Sequence, residues 1–145
     1  VATALQLVLK AQHLAVFAYS VIGVHLSAQE QIETARQLQA THRMRRDQLM
    51  TVLAARNIVP VAADPLYSPL VPVTGAGPAQ RWALQLEQDS AAAYRLLLVS
   101  TTGGSESTAP LRQMAIGGLT AAARDAIHWR SLLTPTRPTV PFPGI

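Results

Sequence analysis

Prolines divide this chain before any other feature does. Pro60, Pro65, Pro69, Pro72 and Pro78 crowd one stretch, and Pro135, Pro138, Pro141 and Pro143 crowd the C-terminal end. A proline inside a helix removes a backbone donor and clashes with the preceding turn, so neither cluster can be continuous helix. Residues 2–26 hold no proline and one glycine and are rich in Ala and Leu, which predicts a long helix ending near Ser27. The run Ser27-Ala28-Gln29-Glu30 has the spacing of a capping box, in which Ser27 accepts from a free amide of the next helix and Glu30 reaches back. The second helix is then expected to reach about Asn57. At about 1.5 Å per residue both helices are roughly 40 Å long, and so short a connection forces them antiparallel.

The crossover spans about 58–78. A third helix is expected from about Ala79 to Thr101, followed by the loop Thr102-Gly103-Gly104-Ser105-Glu106-Ser107 and a fourth helix from about Thr108 to Leu133. Residues 134–145 should lie extended along the surface. Two helical hairpins joined by one long crossover differ from an up-down-up-down bundle with three short loops. With 145 residues, 49% of them hydrophobic, the chain has the material for one domain and one core. Only 5% are aromatic, so the core must be small aliphatic side chains on closely spaced helices.

Polar residues interrupt the apolar stripes at matching heights. The first helix presents Leu5, Leu9, Gln12, Val16, Tyr19 and Gly23 on one face, and the third presents Ala83, Glu87, Ser90, Tyr94 and Leu97. On the second helix the stripe is Ala35, Leu38, His42, Leu49 and Leu53, with Gln39 beside it. On the fourth it is Leu111, Met114, Gly118, Ala121, Asp125, His128 and Leu132. The halves repeat one another: Gln12 and Glu87 each precede a tyrosine by seven residues, and Gln39 and Asp125 each precede a histidine by three. Counted from their turns, the polar positions of each hairpin fall within about one helical turn of the same level.

A carboxylate on each of two helices and a Glu-x-x-His pair on each of the other two is the pattern of ferritin-like di-iron and di-manganese proteins, since residues three apart on a helix share a face. Here the six positions are Gln12, Gln39, His42, Glu87, Asp125 and His128. The stretch from Gln12 to Leu26, the run Thr41-His42-Arg43-Met44-Arg45-Arg46-Asp47, Leu86-Glu87, Ala93-Tyr94-Arg95 and the closing Pro141-Phe142-Pro143-Gly144 resemble the alanine-rich ferritin-like domain of unknown function found in actinobacteria. The resemblance covers nearly the whole chain. It implies an all-α, ferritin-like four-helix bundle over 1–133, a homodimer paired along the long helices, and a glutamate where this chain has Gln12. An unrelated all-helical bundle with the same loop lengths is the alternative.

Charge bounds the chemistry. A two-metal centre presents four or more positive charges, against which Glu87 and Asp125 supply two negatives, so a di-iron oxidation centre is not expected. The favoured reading is a metal-free, cofactor-free polar network, with Tyr19 and Tyr94 beside the six positions, in a non-catalytic binding or assembly module. The alternative is an oxidoreductase or storage protein holding one Fe, Mn or Zn ion on His42, Glu87, Asp125 and His128.

Other classes are narrowed by what the chain lacks. Without cysteine there are no disulfides, thiolate nucleophiles or iron-sulfur ligands. No Ser carries a nucleophile motif, and neither Gly103-Gly104 nor Gly75-x-Gly77 is followed by a phosphate-binding lysine. The net charge of +4 and Arg43, Arg45 and Arg46 suggest an anionic partner, but no aromatics are interleaved with these arginines, so nucleic acid is not expected. Gln6, Lys10, Gln12 and His13 interrupt the most apolar stretch, so no membrane span is expected. His13 and His25 read as a helix-flank and a helix-end residue. A start at Val1 rather than Met fits loss of a preceding segment, a targeting peptide included, so no compartment is assigned beyond the cytoplasm as default.

Overall fold

A computed structural model of the chain describes residues 1–104 and 108–145. Four helices are present, α1 (Ala2–His25), α2 (Gln29–Ala54), α3 (Ala76–Ser100) and α4 (Ala109–Leu133), and no strand occurs among the described residues. They form an all-α four-helix bundle of two hairpins, α1–α2 and α3–α4, joined by the proline-rich crossover, as the loop lengths predict. Of the loop expected after α3, Ser105, Glu106 and Ser107 lie outside the described residues. The hairpins meet through α1 and α3, whereas no Cα atoms of α2 and α4 come within 8 Å of one another.

The helix ends correct the sequence expectation in two places. The N-cap of α2 is Ala28, still extended at ψ 127, and no side chain caps the helix. The first helical turn starts one residue later than a capping box at Ser27 requires. Glu30 instead sits in that first turn, where its charge complements the free amides. Helix α3 begins at Ala76, three residues earlier than expected, because Pro78 occupies its first turn, where a missing N–H costs nothing. The end of α2 is closed by Asn57 in the left-handed region (φ 56), with the amides of Asn57 and Ile58 donating to the carbonyls of Ala54 and Leu53.

The crossover is tied to α1 by side chains that the stripe pattern leaves outside the core. Gln6 donates to the Val59 carbonyl (2.7 Å) and accepts from the Val61 amide (2.9 Å), and His13 Nε2 lies 3.1 Å from the Val61 carbonyl. Phe17 and Tyr67 pack with ring centres 5.4 Å apart. By length and composition α1 is apolar enough to cross a membrane, contrary to the expectation drawn from its interrupting polar residues. In this bundle it is a core helix, burying Leu5, Val8, Leu9, Ala15, Ala18 and Ile22.

The core is two apolar layers. One holds Leu5, Leu9, Leu49, Leu53, Leu97 and Leu111, and the other Ala18, Ile22, Ala35, Leu38, Leu86 and Trp129. Between them, on all four helices, lies a belt of polar residues.

Candidate functional site: a polar belt between two apolar layers

Each helix delivers its polar side chain to the belt because apolar neighbours one or two turns away bury the same face. Gln12 lies between Leu9 and Ala15 on α1, His42 between Leu38 and Leu49 on α2, and Glu87 between Ala83 and Ala91 on α3. Gln12, His42, Glu87 and Ser90 are completely buried. Helix α4 departs from the expected stripe. Leu111, Gly118 and Asp125 are buried as expected, but the other buried positions are Ala115, Ala122, Ala126, Trp129 and Arg130, so His128 moves to the edge of the belt and Leu132 is 40% exposed.

The hydrogen bonds form one chain. Trp129 donates its indole N–H to the Tyr19 hydroxyl (3.0 Å), and Tyr19 donates to Glu87 Oε1 (2.6 Å). His42 lies with Nε2 3.0 Å from the same Glu87 oxygen and Nδ1 2.7 Å from Gln12 Oε1. The Tyr19 and His42 rings stack at 5.5 Å. With oxygens facing both ring nitrogens, His42 donates twice and opposes Glu87 as an imidazolium; with the Gln12 amide turned over, the amide donates to Nδ1 and His42 is neutral. Both arrangements occupy both nitrogens.

The other expected site residues stand apart from this chain. Gln39 turns its amide to the Val16 carbonyl (2.9 Å). Among the described residues Asp125 is hydrogen-bonded only to its neighbour Arg124 (3.4 Å), and His128 sets its ring edge-on against Trp129, with centres 5.0 Å apart. Asp125 Oδ2 and His128 Nε2 are buried without a hydrogen-bond partner among the described residues, as are Gln12 Nε2, Glu87 Oε2 and Ser90 Oγ. Asp125 and His128 line a polar groove of about 340 Å³ where α2 and α4 diverge, walled on the α2 side by Thr34, Gln37, Leu38 and Thr41. Among the described residues no three His, Asp or Glu side chains come together as a set that could hold a cation.

Burial, and after it the charge of Glu87, push the Tyr19 hydroxyl well above its usual range, which keeps it a proton donor to Glu87. Burial raises Tyr94 as well, against the pull of Arg45. Asp125 is raised by burial and then by Glu87, opposed by Arg124 and Arg45. The folded state therefore holds the Asp125 proton to higher pH than the unfolded chain. The stability this adds is complete below the ordinary carboxylate value of about 3.9 and is lost as pH rises through the raised value. Asp125→Asn should equal the wild type in urea midpoint near about pH 3 and exceed it at neutral pH. A wild-type advantage at neutral pH would contradict this.

Trp129 and Arg45 are the belt residues that the stripe pattern missed; Ser90 was in it and is buried. Trp129 sits four residues after Asp125, so an i, i+4 step from the acid would have found it. Arg45 was expected in a basic surface patch, but one guanidinium nitrogen is buried and its charge acts on Tyr94 and Asp125. Arg46 pairs with Asp47 (2.8 Å), which leaves Arg43 as the exposed arginine of the three.

The fold and belt thus define a class, a four-helix protein whose core is crossed by a buried hydrogen-bond chain. The chain belongs to the family described as a domain of unknown function, DUF4439, whose pattern matches residues 4–145. It is similar to the crystal structure of a conserved hypothetical protein from Mycobacterium tuberculosis, with 28% identity and a TM-score of 0.80 over 90% of this chain and 94% of the other. No curated protein matches it.

Proposed function

We propose that this chain is a non-catalytic binding or assembly module, built on a ferritin-like arrangement in which a hydrogen-bonded belt stands where metal-dependent bundles hold two ions. The observation that carries this reading is the clamping of His42, whose two nitrogens face Gln12 and Glu87 at 2.7 and 3.0 Å. A histidine ligand must offer a free lone pair, and His42 has none to offer in either orientation of Gln12. A two-metal centre does not fit the residues present: two carboxylates are too few, and Asp125 and His128 make no hydrogen bond to the His42–Glu87 pair. In the same reading two copies pair along their long helices.

Elemental analysis of protein purified without chelators tests this. Far less than one Fe, Mn or Zn per chain is expected, with light scattering giving twice the chain mass of 15.5 kDa. One ion per chain, lost in His42→Ala and His128→Ala, would replace this reading with that of a metal-binding oxidoreductase or storage protein.

A further inference from the structure

We propose that a cavity beneath the C-terminal tail binds a small organic monocarboxylate with an apolar body. After α4 the chain turns back along the outer groove between α3 and α4. It is fastened at one point by the Arg130 guanidinium, which donates to the Pro138 carbonyl (3.1 Å). At another, Gly144 (φ 84) lies so close to α3 that a Cβ would meet the Ala91 carbonyl oxygen at 2.8 Å. Under the tail is a cavity of about 500 Å³, within the size range of small-molecule sites. Its floor is made of alanines, among them Ala91, Ala123 and Ala126, whose short side chains leave the groove deep, and Phe142 of the tail lines its other side.

Arg130 lines this cavity and is only 8% exposed, yet no carboxylate lies within 4.0 Å of it among the described residues. A guanidinium has five donors, and Pro138 accepts from one. A buried cation without a counter-ion is costly, and its planar fork matches a carboxylate better than any other common anion except phosphate. Asp89, also lining the cavity, accepts from Gln85 (2.8 Å) and brings an acidic side chain to its wall. That acid disfavours a dianion, while the alanine floor and Phe142 offer an apolar body its contacts. This site lies on the outer face of the α3–α4 hairpin and does not depend on the reading of the polar belt.

The test is calorimetric titration of the full chain with octanoate and, as a neutral match, octanol. Octanoate is expected to bind at least about tenfold more tightly than octanol, a difference of about 1.4 kcal/mol. Arg130→Gln should abolish that preference. Because Arg130 also holds the tail, a second variant, Ala123→Leu, fills the floor and leaves the arginine in place; it should weaken octanoate by about tenfold or more. Equal binding of octanoate and octanol, undiminished binding to Ala123→Leu, or no binding of octanoate at millimolar concentration would each overturn the proposal.

Discussion

His42→Ala is expected to cost about 3–5 kcal/mol, a large share of the roughly 5–15 kcal/mol that holds a single domain folded. His42 is completely buried and is the one group that joins Gln12 to Glu87. Removing it leaves the Glu87 carboxylate with the Tyr19 hydroxyl as its remaining donor and strands the Gln12 amide between two apolar layers. An unpaired buried polar group incurs its full desolvation cost, which exceeds the modest net gain of the hydrogen bond when made. The cavity left by the ring adds to the loss. Glu87→Gln should cost less, because the amide oxygen still accepts from Tyr19 and a neutral His42 leaves no unpaired charge. Urea midpoints at neutral pH order the two variants. A loss below about 1 kcal/mol for His42→Ala would mean that water satisfies the belt and the pair contributes little.

The fold was legible because its strongest signals are local and exclusive. Nine prolines in two clusters leave little freedom in where helices stop, and the length of 58–78 against the two short connections decides the topology. The errors fall where a shift of one residue changes the outcome. A cap at Ser27 and a cap at Ala28 differ by a single extended residue, a difference too small for the local motif to resolve. The start of α3 near Pro78 is a similar case, since a proline both ends helices and opens them.

The belt was legible as a level but not as a network. Gln12, His42 and Glu87 interrupt apolar stripes at agreeing heights, and all three are buried together. Which atoms bond depends on rotamers and on the angular setting of each helix. A small rotation of α4 seats Trp129 in the core and moves His128 outward, so Trp129 rather than Asp125 or His128 completes the chain to Tyr19. Gln39 shows the same limit: its three-residue spacing from His42 places it on the right side of α2, but its amide reaches the Val16 carbonyl of α1 instead. Charge counting uses residue identity alone, and sets two carboxylates against the four of a two-metal centre.

Adjacent glycines on α4 should respond in opposite ways to the same substitution. Gly117 is exposed and a Cβ there meets nothing within 4 Å, so Gly117→Ala should stabilise the protein by about 0.5–1 kcal/mol through helix propensity alone. Gly118 faces inward, and a Cβ there would lie closer than 3.0 Å to three carbons of the Tyr94 ring. That ring is 2% exposed and packed in the layer that contains Leu97, Leu111 and Ala115, so it has no open space into which to turn. Overpacking of this kind costs about 1–3 kcal/mol or more even after relaxation, and the gain in propensity offsets only part of it. Gly118→Ala is therefore expected to lower the urea midpoint while Gly117→Ala raises it. The clash also predicts its own rescue. In a double-mutant cycle, Tyr94→Leu should recover much of the loss caused by Gly118→Ala, giving a coupling on the order of 1 kcal/mol or more between residues on different helices. Additive single effects would instead assign the loss to the α4 backbone and remove Tyr94 from its cause.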